Sequence, residues 1–144
     1  MAKTAVRLEN GYRVEAQSRH HQWFIDEPTS EGGSDTAPSP TETVMGALGA
    51  CVAITMKMYA DRKGWKLDRV EIDLENKRLK KEEYPGYTGD SAFVHSITKR
   101  ITLYGDLDHE QRQRLVEIGG KCPVSRMLTE PAFINDVLLE PQPE

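Results

Sequence analysis

The chain has 144 residues, a formal net charge of −4 and two cysteines. That length suits a single domain over residues 1–144, large enough to bury a real core. Acidic and basic residues are interspersed, which indicates neither a nucleic-acid partner nor a membrane surface.

The start, MAKTAVRLE, has no hydrophobic signal core, so a cytoplasmic protein is expected. In a reducing compartment two distant cysteines are more often free or redox-active than a structural bridge. Neither lies in a CxxC, so no zinc site or thioredoxin-type motif is signalled, and no cofactor is expected.

Residues 4–26 read as β-structure. TAVRLE and YRVEAQS flank Asn10-Gly11, the signature of a tight hairpin turn. HHQWFID makes a third strand after a turn near Ser18-Arg19. His20 and His21, adjacent on that strand, are expected to point to opposite faces. With His95 and His109 scattered elsewhere, no metal site is expected. The Gly-, Pro- and Ser-rich stretch EPTSEGGSDTAPSP is a loop, long enough to be functional or mobile.

The stretch from Pro38 to Gly64 reads as one long helix. Ser39 is its N-cap, Pro40 occupies the first helical position, and Glu42 completes a capping box. Lys63 and Gly64 supply the cation and the left-handed residue that end a helix. Val44–Ile54 carries no polar side chain, so the helix is expected to be buried on every side. The apolar run is too short for a bilayer. Its small residues Gly46, Ala47, Gly49, Ala50 and Ala53 would admit another helix backbone. The remaining helices are short, so one subunit cannot cover this rod, and an obligate dimer is expected.

Trp65–Lys80 and Ala92–Tyr104 are strands by apolar alternation. Between them, KKEEYPGYTGDS is a polar loop whose Tyr84 and Tyr87 read first as loop aromatics, although such loops can cover a pocket. Asp108 with Gln111 starts a second helix and Gly119-Gly120 stops it. Cys122-Pro123 opens a third, PVSRMLTE, and Phe133–Leu139 reads as a final strand. The order is βββ-α-ββ-αα-β, an α+β fold with antiparallel sheet.

The chemistry centres on the cysteines. A thiolate, not a thiol, is the nucleophile. Cys51 lies about 18 Å along its helix from Ser39. The helix dipole acts over the first turn only, so it cannot stabilise a thiolate there. A reactive Cys51 needs a cation from elsewhere, and Arg19 is the candidate. The other reading makes Cys51 a small buried hydrophobe. Cys122 stands at a helix N-cap beside Lys121 and Arg126, and by local chemistry is the more acidic of the two. It is either a structural cap or a reactive thiol. Glu42 reads first as a capping residue and second as a catalytic one.

PSPTE, then GALGAC in a buried helix, then KCPVSRML together resemble the OsmC/Ohr family of osmotically inducible and organic-hydroperoxide-resistance proteins. The resemblance runs from Gly11 to Leu139. It implies an intertwined homodimer, two central helices wrapped by β-sheets, with active sites at the subunit interface. It also implies thiol-dependent reduction of hydroperoxides, with Cys51 as the attacking thiol and Cys122 as the resolving thiol. A dithiol reductant, often lipoyl-type, would then regenerate the pair. The family's activating Arg and Glu correspond loosely to Arg19 and Glu42. In ungapped register from Cys51 the Glu position holds Thr41, which suits the diverse OsmC-like branch. The alternative is an OsmC-like module that binds a small ligand or senses redox state.

Overall fold

A computed structural model describes residues 1–143. Three short strands, β1 (Ala5–Arg7), β2 (Val14–Ser18) and β3 (His21–Ile25), form an antiparallel sheet in that order. β2 and β3 turn through Arg19-His20, with Ser18 paired to His21 and Arg19 in the left-handed region at φ 57°. The β1–β2 connection is wider than the two-residue turn expected. Its last ladder pair is Arg7 with Glu15, so the loop is centred on Gly11, at φ 61°. His20 lies in the turn rather than on the strand, and its ring stacks 4.0 Å from that of His21.

The loop that follows is pinned by one buried side chain. Asp26 accepts hydrogen bonds from the backbone N–H of Glu27 (2.8 Å) and from the Ser34 hydroxyl (2.5 Å). It also accepts from the backbone N–H of Thr36 (3.1 Å) and the Thr36 hydroxyl (2.9 Å). The Asp26 N–H in turn donates to the Pro38 carbonyl, 3.0 Å away. These bonds, Ser34 foremost, hold the Asp26 carboxyl well below the ordinary carboxylate range. The segment is therefore an ordered strap that delivers the chain to the start of the long helix.

That helix, α1, spans Pro40–Lys63. Ser39 caps it: its hydroxyl accepts from the Glu42 N–H (3.2 Å) while the Glu42 carboxylate accepts from the Ser39 N–H (3.1 Å). Gly64, at φ 69°, closes the other end. In length and composition α1 is apolar enough to cross a membrane, with mean hydropathy 1.4 over its best window. A core helix of a soluble fold has the same composition, and here one row of α1 is packed against the rest of the chain.

β4 (Arg69–Lys80) and β5 (Phe93–Tyr104) form a twelve-pair antiparallel ribbon, Arg69 opposite Tyr104 and Lys80 opposite Phe93. β4 starts later than the sequence suggests, because Trp65–Asp68 make a compact turn that buries Leu67 and sets Trp65 edge-on against Tyr59. α2 (His109–Gly119) and α3 (Pro123–Thr129) follow, α2 capped by Asp108 and Gln111 as its sequence indicates. The core joins Leu48, Val52, Met56 and Ala60 of α1 to Leu67, Leu103, Leu107, Leu115 and Cys122. A Cβ at Gly49 would meet Leu74 of β4, and one at Gly119 of α2 would meet Val52 and Met56. The close approach that small residues permit is therefore to a strand side chain, and the glycine that admits a second helix lies on α2.

Within one chain α1 is covered on one side only, in line with the expectation that one subunit cannot cover it: Val44, Ile54 and Met58 are exposed, the last two at 59% and 63%. One expectation is overturned: the sixth and final strand, Phe133–Leu139, does not form. Residues 131–143 have no regular structure, and Phe133 and Leu138 stand 88% and 95% exposed. A strand needs a neighbouring edge to take its N–H and C=O groups, and among the described residues no edge of either sheet pairs with that segment. The observed order is thus βββ-α-ββ-αα, and the fold is α+β.

Candidate functional site

The structure brings Cys51 and Cys122 together. Cys51, on α1, packs against the core cluster that contains Cys122, and its thiol lies near enough to influence the ionisation of the Cys122 thiol. Both are free cysteines. Their exposures differ. Cys122 is fully buried, whereas Cys51 is half-buried at the border of the covered and open faces of α1. One turn before it Leu48 is buried; one turn after it Ile54 is exposed.

Cys122 is the N-cap of α3, and its sulfur accepts the Ser125 N–H at 3.3 Å. The acidity expected of its N-cap position is opposed by its burial. Burial pushes the Cys122 thiol up from its ordinary value, the Ser125 N–H draws it down, the adjacent Cys51 thiol adds to the rise, and the charge of Lys99 opposes it. The cap position was legible in KCPVSR. The dry surroundings that outweigh it were not, since they come from α1 and the ribbon.

A cleft of about 610 Å³ lies between the start of α1, the β4–β5 ribbon and α3; neither cysteine lines it, but Leu48, one turn before Cys51, and Ser125, bonded to Cys122, both do. Val44, Met45, Leu48, Ile97 and Leu128 make its apolar wall. The polar wall includes Thr41, Asn76, His95, Lys99 and Ser125, and Tyr84 stands at its rim. His95 Nδ1 and Asn76 Oδ1 are 3.2 Å apart across the ribbon. Thr41 lines the cleft, while Glu42 is engaged in the capping box.

Arg19 is not part of this cleft. It is exposed at the tip of the β2–β3 turn, and among the described residues it makes no ion pair. The N-terminal sheet that carries it packs little on the rest of its own chain. The charged group that the cleft does hold is Lys99, which the sequence reading passed over. A signal was present: Lys99 occupies the same alternation phase as Ile97, Ile101 and Leu103, where a lysine is out of place.

Residues 32–135 match the OsmC-like protein family, and the chain belongs to it. Among solved structures, a candidate osmotic stress induced and detoxification response protein from Psychrobacter arcticus 273-4 superposes with a TM-score of 0.72 at 17% identity, over 90% of each chain. The OsmC-like protein from Mycoplasma pneumoniae gives 0.70 at 15% identity, over 90% of this chain and 88% of its own. The organic hydroperoxide resistance protein OhrB of Bacillus subtilis gives 0.61 at 23% identity, over 90% and 91%. No curated protein matches the chain. These likenesses establish an OsmC/Ohr-type fold.

Proposed function

We propose that this protein is a two-cysteine, thiol-dependent hydroperoxide reductase of the cytoplasm, working as a homodimer. The observation that carries the reading is the meeting of a half-exposed thiol, Cys51, with a buried one, Cys122, beside a mixed polar and apolar cleft. Membership of a family that includes organic hydroperoxide resistance proteins supports it.

The Cys51 thiolate attacks the distal oxygen of a hydroperoxide, the O–O bond breaks, and an alcohol or water leaves after taking a proton. Cys51 is then a sulfenic acid. The Cys122 thiolate attacks that sulfur, hydroxide leaves as water after protonation, and a disulfide forms. A dithiol of the lipoyl class reduces the bridge through a mixed disulfide and is itself oxidised to a cyclic disulfide. The different exposures suit the roles: the outer sulfur meets peroxide and reductant, and the inner one stays shielded from both.

A second copy is required on two grounds. The open face of α1 borders Cys51, so whatever covers Val44, Ile54 and Met58 also roofs the thiol. Arg19 of the same chain stays outside the cleft near Cys51, so Arg19 of a partner subunit is the candidate for the cation that activates Cys51. The competing reading, a small-ligand or redox-sensing module, draws on the apolar wall of the cleft and on the distance of Arg19 from Cys51 within one chain.

Titration of free thiols decides between them. One equivalent of organic hydroperoxide should consume both thiols per chain and yield a Cys51–Cys122 disulfide; retention of both thiols favours the binding module. Replacing Arg19 with Ala should slow Cys51 alkylation at pH 7 about tenfold or more. An unchanged pH profile removes Arg19 from the site.

A further inference from the structure

Lys99 stands where strand alternation calls for an apolar residue. It lies on the α1-facing side of β5, between Ile97 and Ile101 and opposite Leu74 of β4, three residues that pack against the core. Along the stretch of ribbon that α1 covers, it is the charged residue of that face. It is half-buried, it lines the cleft, and among the described residues its side chain makes no ion pair and no hydrogen bond. The same cleft wall carries Ser125, whose N–H is bonded to the Cys122 sulfur.

We propose that Lys99 supplies the positive charge that the Cys122 sulfur requires when it closes, and later leaves, the disulfide with Cys51. Cys122 is a thiolate at two points of the cycle described above, on which this inference rests. In the first it attacks the Cys51 sulfenic acid, forming the S–S bond as water is released. In the second the external dithiol attacks the outer Cys51 sulfur, the S–S bond breaks, and Cys122 departs with the electron pair before taking up a proton. A buried sulfur with a single N–H donor is poorly equipped to hold that charge twice per turnover. Lys99 answers the deficit from the ribbon side of the cleft. It thereby complements Arg19 of the partner subunit, which is assigned to Cys51.

The other titratable groups around Cys122 are few. Cys51 reaches it from α1 and the charge of Lys99 acts on it from β5, with His95 four residues earlier on the strand and engaged with Asn76. Tyr84 reaches the rim of the cleft from the β4–β5 loop. Lys121 precedes Cys122 but is exposed and paired with Glu117. The position therefore isolates Lys99 as the cation to test.

The experiment measures Cys122 directly, without peroxide. In the Cys51→Ser protein, thiolate absorbance is followed against pH, with the Cys51→Ser/Cys122→Ser protein subtracted to remove tyrosine ionisation. Adding Lys99→Met should raise the Cys122 midpoint by about one pH unit, and Lys99→Arg should restore it. His95→Gln should leave it in place. Equal midpoints with lysine and methionine at position 99, or a midpoint that follows His95 instead, overturns the proposal. In the protein with both cysteines, stopped-flow after a hydroperoxide pulse should show Lys99→Met slowing disulfide closure roughly tenfold at neutral pH. Sulfenic acid formation on Cys51 should keep its rate, and a closure rate equal to wild type overturns the proposal. If no sulfenic acid forms in any variant, the peroxidase reading fails, while the titration still reports on Lys99 and Cys122.

Discussion

The two faces of α1 are made of similar residues and have opposite fates. Leu48, Val52, Met56 and Ala60 form a row that the β4–β5 ribbon, α2 and α3 bury. Ile54 and Met58 lie on another that this chain leaves open. Hydrophobicity does not distinguish them, since neither row contains a polar side chain. The difference lies in what the chain has available to pack. Its ribbon and short helices cover one side of a 24-residue rod and no more. Cys51 sits on the dividing line, which is why its environment is completed only when the second face is covered.

Breaking the covered face should give the largest effect. Met56 is fully buried, and Met56→Ala should cost about 2–5 kcal/mol of unfolding free energy, read by urea denaturation. A loss below about 1 kcal/mol would mean that the row is loosely packed and that the contrast between the faces is overstated.

The open face should respond in association rather than in packing. Ile54→Glu is expected to weaken self-association more than about tenfold, roughly 1.4 kcal/mol, by sedimentation at micromolar concentrations. If wild type already sediments as a folded monomer there, the open face is simply solvated, and the interface placed beside Cys51 disappears with it.

The smallest effect sharpens a third contrast, between the strap before α1 and the unpaired tail after α3. The Asp26 carboxylate is held below its ordinary value by the Ser34, Glu27 and Thr36 donors. Its contribution is therefore fully present above the unfolded carboxylate range and is lost as pH falls through about 4 toward the folded value. Thermal melts between pH 7 and pH 3 should show a shallower decline for Asp26→Asn than for wild type, from a lower starting stability. Parallel curves would show that the strap does not depend on the charge.

Local signals in the sequence carried a good part of this molecule. The caps Ser39-Glu42 and Asp108-Gln111, the C-terminal Gly64 and the N-cap at Cys122 act over three or four residues, so short-range pattern is enough to locate three helices. Alternation located the strands for the same reason, and β4 and β5 departed from it only at their ends. The tail failed because a strand is defined by a partner edge, and alternation in Phe133–Leu139 says nothing of whether one exists. Tertiary structure alone decided the juxtaposition of Cys51 and Cys122, the burial that sets their different characters, and the arrival of Lys99 beside them. Those depend on contacts between segments distant in sequence, where charge, dryness and proximity are properties of the packed surroundings and not of any residue by itself.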